Sequence, residues 1–283
     1  MARRGGWRRG AVLLLALALV AGAIYTAVGF LQRSETLVTE RCTATGAGGE
    51  DLATDQAANA ALISAIAVRR GLPARAASIA LATSMQESKL RNIGHGDQAG
   101  PDSRGLFQQR PSQGWGTEQE VMDPVHAANA FYDALVKIPG YESLPITEAA
   151  QEVQRSAYPG AYAQHEPMAR AFASALTGYT APGLDCSLRK PETAGDPGQI
   201  QQRLASAFGA IPATTAGRTV TVSAEATQAW AVAQWAVANA KALGITEVRV
   251  DGHSWTRLSH NGWQAANAPA GQVTITVAAD PAA

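Results

Sequence analysis

A single carboxylate stands at the end of an apolar helical stretch, before a glycine-rich loop, in residues 85–109 (MQESKLRNIGHGDQAGPDSRGLFQQ). On helical spacing, Glu87 lies on one stripe with Ile79 and Thr83, so it should face the protein rather than water. Burial disfavours the anion, and the negative end of the helix dipole, close by because Gly94 should stop the helix, acts in the same direction. We therefore expect the pKa of Glu87 to be raised. A carboxyl group still protonated near neutral pH can protonate the oxygen of a leaving sugar.

The same residues resemble a motif of known enzymes. Glu87-Ser88 followed by Gly105-Leu106-Phe107-Gln108 is similar to the ES…GLMQ pattern of lytic transglycosylases and goose-type lysozymes, with Phe107 where Met is usual. Residues 123–132 are similar to the helix that follows in those proteins, and residues 105–117 (GLFQQRPSQGWGT) resemble membrane-anchored, lysozyme-like cell-wall proteins of actinobacteria. The resemblance covers about residues 52–180.

The resemblance implies roles for particular side chains. Glu87 would be the catalytic acid for the β-1,4 bond between MurNAc and GlcNAc in peptidoglycan. Residues implied to contact or position the sugar are Ser88, Gln108, Gln109, Trp115, Tyr158 and Tyr162. The two tyrosines lie roughly where transglycosylases present a tyrosine that hydrogen-bonds the acid, and we favour Tyr158 over Tyr162.

Several of these residues have an ordinary structural alternative. Glu87 could end its helix in a salt bridge with Lys89 or Arg91, and Gln108 could be a solvated loop amide. Trp115 could stack on a sugar or could equally well cover the core with its amphipathic ring.

A second carboxylate decides between hydrolysis and transglycosylation. Asp97 and Asp102 lie in the loop where goose-type lysozymes hold water, but aspartates are also common in glycine-rich turns. Two-carboxylate glycosidases need a partner at a set distance from the acid. In the resembling transglycosylases the substrate's N-acetyl group stabilises the cation, and the same glutamate then takes a proton from the C6 hydroxyl. One carboxylate then suffices, and no metal or cofactor is required.

The N-terminus predicts export. Four arginines within residues 3–9 precede an uncharged run over residues 11–31, which as a helix spans about 31 Å. We expect residues 1–10 to be cytoplasmic, residues 11–31 to be a single-pass transmembrane signal anchor, and residues 32–283 to be extracytoplasmic. The alternative is a cleaved signal peptide and a secreted protein.

Charge and cysteine use narrow the function classes. The 283 residues carry 23 basic and 23 acidic side chains, so no global field favours nucleic acid. The only cysteines, Cys42 and Cys186, can pair in an oxidising compartment, and the long loop would then stabilise the fold by up to about 5 kcal/mol. Two free buried thiols are the alternative. The cysteines lack the spacing of a metal site.

Patterning divides the rest of the chain. We expect linkers at 32–51 and 181–196, a catalytic domain at 52–180, and a small α+β domain of unknown role at 197–279. Predicted helices are 54–70, 73–90, 118–135, 146–156, 167–176, one opening at 197, and 224–243; predicted strands are 219–222, 246–250 and 273–277, with a hairpin over 253–264. Trp230, Trp235, Trp255 and Trp263 are conspicuous in the C-terminal part. Spacing puts Trp230, Ala233 and Val237 on one helix face, which favours core packing.

These observations predict a mainly α lysozyme-like domain with a small β element, a small C-terminal α+β domain and an N-terminal transmembrane helix. The predicted function is peptidoglycan cleavage by a single glutamate. One alternative is a non-catalytic cell-wall-binding or scaffold protein. Another is a protein–protein role of the C-terminal domain, with the lysozyme-like part attaching the protein to the cell wall.

Overall fold

A computed structural model describes residues 4–33, 38–96, 98, 100–155 and 159–280 of the chain. About 47% of it is helical. By internal contacts the chain forms two units, Met1–Thr39 and Glu40–Ala283. The predicted catalytic segment and the predicted C-terminal segment both lie in the second unit.

The first unit contains the helix α1, Arg4–Arg33. Among the described residues, no helix is both long and apolar enough to cross a membrane. This finding overturns the transmembrane helix of the predicted fold class at 11–31, although a helix does form over these residues.

Eight helices follow in the described part of the second unit. They are α2 (Thr54–Arg69), α3 (Ala74–Ser88), α4 (Glu118–Met122), α5 (Pro124–Leu135), α6 (Ile146–Gln154), α7 (Glu166–Leu176), α8 (Pro197–Phe208) and α9 (Ala226–Ala238). Short 3₁₀ helices lie at Pro111–Gln113 and Pro159–His165. Sequence signals explain several starts: Asp123 caps α5 and Asp196 caps α8, each followed by proline at the first helical position.

A three-stranded antiparallel sheet has the order β2-β1-β3 and joins distant parts of the chain. Its strands are β1 (Arg41–Ala44), β2 (Asp51–Ala53) and β3 (Leu184–Ser187). Cys42 lies opposite Cys186 in the β1–β3 register, and the predicted disulfide between them is confirmed. Two segments predicted to be linkers, 32–51 and 181–196, therefore contribute strands. Such short strands have too few residues to show a clear alternation in a single sequence.

A six-stranded antiparallel sheet has the order β4-β5-β9-β6-β7-β8. Its strands are β4 (Ala213–Ala216), β5 (Thr219–Ser223), β6 (Ile245–Val250), β7 (His253–Thr256), β8 (Trp263–Ala265) and β9 (Gln272–Val277). Buried residues alternate with more exposed ones along β9, so one face of the sheet is in the core. β5, β6 and β9 lie where strands were predicted, and β7 and β8 form the predicted hairpin.

The predicted fold class is wrong as a whole. The sequence predicted a mainly α domain with a small β element beside the cleft, a small C-terminal α+β domain and a transmembrane helix. The described structure is about 47% helical and has two antiparallel sheets. In its described residues, the loop after α3 carries two isolated β-bridges, Ile93 with Gly105 and Arg104 with Gln109. The transmembrane helix of the predicted class is absent from the described residues.

The tryptophans of the C-terminal part pack inward. Trp230, Trp235 and Trp255 are buried, in agreement with the core packing that the spacing of Trp230 favoured. Trp255 donates its indole N–H to Asp185 Oδ1 at 2.8 Å, and Trp263 donates to the Leu184 carbonyl at 2.8 Å. These bonds attach the β7–β8 hairpin to β3 and so to the small sheet.

Helix α2 connects the two halves of the second unit. It packs against α3, α5 and α7 on the side of the candidate site, and against α8 and α9 on the side of the large sheet. Helix α3 packs in turn against α2, α5, α6 and α7. The helix that carries Glu87 is therefore held by packing contacts with four others.

Candidate active site

Glu87 is the penultimate residue of α3, and its side chain is half-buried. The helix ends earlier than predicted, at Ser88, because Lys89 and Leu90 both adopt left-handed φ values of 56° and 55°. Gly94, which was predicted to stop the helix, lies beyond this reversal. The Lys89 N–H still bonds the Met85 carbonyl at 3.1 Å, as in an αL termination.

Tyr162 is the tyrosine that contacts the predicted acid. Its hydroxyl donates to Glu87 Oε1 at 2.7 Å, and its ring is fully buried. The preference for Tyr158 falls on a residue outside the described part of the chain. Tyr162 lies in the 3₁₀ helix Pro159–His165, which packs against α3 and α6. A fully buried ring fixes the hydroxyl in place, because it leaves little rotamer freedom.

A second contact joins the same 3₁₀ helix to the last turn of α3. Gln86 Oε1 accepts a bond from Gln164 Nε2 at 3.2 Å and lies 3.0 Å from His165 Nε2. Burial lowers the pKa of His165, and the positive charge of Lys89 lowers it further. The neutral ring can donate Nε2–H to Gln86. Gln86 and Glu87 at the end of α3 thus contact Tyr162, Gln164 and His165 of the 3₁₀ helix.

Ser88 is buried, and its hydroxyl makes hydrogen bonds within the protein. Its hydroxyl lies 2.7 Å from the Leu106 carbonyl and 3.1 Å from the Ser84 carbonyl, and it accepts the Arg91 N–H at 3.2 Å. Ser84 donates to the same Leu106 carbonyl at 2.9 Å. Ser88 therefore fastens the Gly105–Gln109 segment to α3, and this contact accounts for its place after the acid.

Gly105 sets the path of that segment. Its φ is +78°, and a Cβ on it would lie 2.1 Å from the Val121 carbonyl oxygen. Its N–H donates to the Ile93 carbonyl at 2.8 Å. Only glycine fits this combination of left-handed backbone and close approach.

Phe107, Gln108 and Gln109 have different environments. Phe107 is fully buried and stacks on Phe131 with ring centroids 4.6 Å apart. Gln108 is half-buried with a left-handed φ of 49°, and Gln109 is buried and donates to the Ala127 carbonyl at 3.0 Å. Gln108 Nε2 donates to the Gly105 carbonyl at 3.3 Å, and its contact with a sugar stays a prediction, whereas Gln109 supports the loop.

Both carboxylate oxygens of Asp102 accept hydrogen bonds from residues that follow in the same segment. Its Oδ1 accepts from Arg110 Nε at 2.9 Å, and its Oδ2 accepts from the Ser112 N–H at 3.1 Å. Hydrogen bonds from Ser112 and Arg110 lower the pKa of Asp102 to about 2. Both oxygens serve the turn, which matches the turn-forming alternative. Asp97 lies outside the described residues.

Trp115 has a half-buried ring that packs against the hydrophobic core. His126 Nε2 lies 3.3 Å from its carbonyl oxygen. This arrangement matches the reading in which the ring covers the core, and the stacking role stays a prediction.

Sequence reasoning missed several residues that build the site. Gln154 donates to the Phe107 carbonyl at 2.8 Å, and Gln86 holds the 3₁₀ helix. No local signal marks either residue as more than a polar helix position. Ser84 and Ser88 did carry a signal, since serines four apart share one helix face.

Among the described residues, no group of three or more His, Cys, Asp or Glu side chains could hold a metal ion. No model of a known protein family matches the sequence, and no curated protein matches it. The resemblance to lytic transglycosylases and goose-type lysozymes stays a prediction that rests on the residues quoted for it.

Proposed function

We propose that the protein cleaves peptidoglycan glycan strands at the β-1,4 bond from MurNAc to GlcNAc, with Glu87 as the catalytic acid. The observation that carries this proposal is the 2.7 Å bond from the buried Tyr162 hydroxyl to Glu87 Oε1. The bond holds one carboxyl oxygen in a fixed direction at the end of α3. The neighbouring Gly105–Gln109 segment supplies the half-buried Gln108 for a sugar amide or hydroxyl.

The first step is proton transfer from Glu87 to the bridging oxygen as the glycosidic bond breaks. The carboxylate left behind accepts the Tyr162 hydrogen bond, which is stronger to a charged acceptor than to a neutral one. Tyr162 thereby stabilises the charge that develops on Glu87 in the transition state.

The second step determines whether the product is that of a transglycosylase or that of a hydrolase. In the transglycosylase route, Glu87 takes the proton of the C6 hydroxyl, whose oxygen attacks C1 of the same sugar and forms a 1,6-anhydro end. Proximity favours this attack, since both groups belong to one molecule. The commitment of both Asp102 oxygens to Arg110 and Ser112 favours a route that needs no second carboxylate.

The disulfide supports an extracytoplasmic site of action. Disulfides persist in oxidising compartments and are rare in the cytosol. Peptidoglycan lies in such a compartment, so the Cys42–Cys186 bond agrees with this substrate.

Mass spectrometry of the products tests the route. Purified peptidoglycan is incubated with the protein, and the released muropeptides are compared with those from a known hydrolase. We expect 1,6-anhydro ends, each lighter than the reducing-end counterpart by one water, and we expect Asp102→Asn to retain this product. Reducing ends alone, lost in Asp97→Asn or Asp102→Asn, would replace this route with hydrolysis. Binding without any product would identify a non-catalytic wall-binding protein.

A further inference from the structure

The reversal of the chain directly after Glu87 is held by polar side chains that the proposed chemistry does not use. Lys89 and Leu90 are consecutive non-glycine residues in the left-handed region. Such conformations are costly for residues with a side chain and persist only where the surroundings enforce them. They occur two and three residues after the proposed acid.

The N-terminal part of α2 supplies the enforcing contacts. Gln56 Nε2 donates to the Lys89 carbonyl at 2.9 Å, and Asn59 Nδ2 donates to the Leu90 carbonyl at 2.8 Å. Asp55 accepts from Arg91 Nε at 2.7 Å. Three successive residues after Ser88 are thus bound by one turn of another helix.

The Gln56 amide is itself fixed, and the Asn59 amide is partly shielded from water. Gln56 Oε1 accepts the Ala53 N–H at 2.9 Å and so belongs to the cap of α2, whereas Asn59 is half-buried. Leu90 is fully buried, which prevents the reversed segment from swinging outward. The end of α3 is therefore set by α2 as well as by the helix's own hydrogen bonds.

We propose that Gln56 and Asn59 are positioning residues for Glu87, which act through the left-handed turn at Lys89 and Leu90. Without the two amides, the turn loses the bonds that offset its backbone cost, and the last turn of α3 relaxes. The Glu87 carboxyl then moves relative to Tyr162 and to the bound sugar. This inference rests on the proposed function for its kinetic test, but the position of the carboxyl can also be measured without substrate.

The kinetic test compares Asn59→Ala with Asn239→Ala in the full chain. Asn239 Nδ2 also donates to a backbone carbonyl, that of Trp235 at 2.9 Å, but at the end of α9. We expect Asn59→Ala to lower kcat on peptidoglycan by about tenfold with KM within about twofold, because a small misplacement of a catalytic group is costly. Asn239→Ala should lower thermal stability without changing kcat.

Rescue separates positioning from general destabilisation. Lys89→Gly removes the backbone cost of the left-handed φ, since glycine adopts it readily. In the Asn59→Ala background, Lys89→Gly should restore most of kcat. The proposal would be overturned if Asn59→Ala and Asn239→Ala had the same kcat. It would also be overturned if Lys89→Gly did not restore kcat in Asn59→Ala.

An NMR titration makes the proposal independent of activity. The carboxyl carbon of Glu87, assigned from its absence in Glu87→Gln, is followed with pH in the wild type and in the variants. We expect the titration to change in Asn59→Ala, to return in the double variant, and to stay unchanged in Asn239→Ala. If the wild type proves inactive while these shifts are seen, the proposed function fails and the positioning stands. An unchanged titration in Asn59→Ala overturns the positioning.

Discussion

Tyr162 and Glu87 form the decisive pair of residues. The buried ring of Tyr162 places a hydroxyl 2.7 Å from a carboxyl oxygen on a different element. The sequence indicated two tyrosines and favoured Tyr158, which lies outside the described residues, whereas the structure shows the contact of Tyr162. A segment of irregular path does not reveal from its sequence which side chain points inward. The position of Glu87 near the end of α3 was predictable, since its place in an amphipathic stretch and its distance from GLFQ are local properties of the chain.

Tyr162→Phe should lower kcat for glycan cleavage by about ten- to a hundredfold, the scale of one hydrogen bond to a charged group. KM should stay within about twofold, because the bond stabilises the carboxylate formed during reaction. Steady-state kinetics on soluble glycan fragments provides the measurement. The matched control is Tyr132→Phe, which removes another buried hydroxyl, one bonded to the Ile63 carbonyl at 3.0 Å. Equal losses of kcat in both variants would contradict the role of Tyr162.

Glu40 predicts a pH dependence of stability. Burial raises its pKa, but hydrogen bonds from Lys241 and Arg189 outweigh burial and lower the pKa from 4.5 to about 2. A lowered folded-state pKa contributes stability above the unfolded value, and that contribution is lost as the pH falls from about 4.5 to about 2. The contribution at neutral pH is up to about 3 kcal/mol.

Urea unfolding between pH 7 and pH 2 checks this dependence. We expect Glu40→Gln to show a smaller loss of stability with acid than the wild type. Glu118→Gln is the control, since its ion pair with Arg104 leaves the Glu118 side chain 72% exposed and should contribute little. An equal loss of unfolding free energy between pH 7 and pH 2 in wild type and Glu40→Gln would refute the prediction.

At the scale of elements, the Gly105–Gln109 segment depends on one close approach. The Gly105 backbone lies against the Val121 carbonyl, and both Ser84 and Ser88 hold the Leu106 carbonyl. The family-like GLFQ pattern is thus explained by packing: a glycine where no Cβ fits, and a phenylalanine on the aromatic core. Sequence reasoning found the segment but could not identify its anchors.

Gly105→Ala should destabilise the protein more than Gly114→Ala. Both glycines have left-handed φ values, +78° and +83°, but a Cβ on Gly114 meets nothing within 4 Å. We expect about 1 kcal/mol for the backbone cost at Gly114. At Gly105 we expect at least about 1–3 kcal/mol more, from the clash with Val121. Chemical denaturation of both variants gives the comparison, and equal losses would show that the close approach is not maintained.

At the scale of the whole molecule, the sequence predicted helices well and sheets unevenly. The helices carry periodic apolar faces and caps such as Asp123 and Asp196, all of which are local. The strands β1 and β3 are only four residues long, and their pairing joins positions 144 residues apart. Their stability comes from each other and from the disulfide, which no local pattern displays. The small sheet that they form is one reason why the predicted fold class was wrong, and the absence of a membrane-spanning helix among the described residues is another.

Removing the disulfide should weaken the second unit without abolishing its chemistry. The Cys42→Ser/Cys186→Ser variant should lose about 2–4 kcal/mol of unfolding free energy, since the closed loop is long. Equilibrium denaturation of the oxidised wild type and the variant measures the difference. A loss below about 1 kcal/mol would contradict a stabilising role for the bond. At low temperature, where both proteins are folded, glycan cleavage should be nearly equal.

Cleavage of purified peptidoglycan by wild type and by Glu87→Gln tests whether Glu87 is the catalytic acid. Both proteins are incubated with the same wall preparation, and soluble products and wall-bound protein are measured together. We predict products from the wild type, none from Glu87→Gln, and equal wall binding and thermal stability, because the amide fills the same space but cannot donate the proton. Retention of more than about a hundredth of the wild-type rate by Glu87→Gln would show that Glu87 is not the catalytic acid, since loss of a general acid costs about a hundredfold or more.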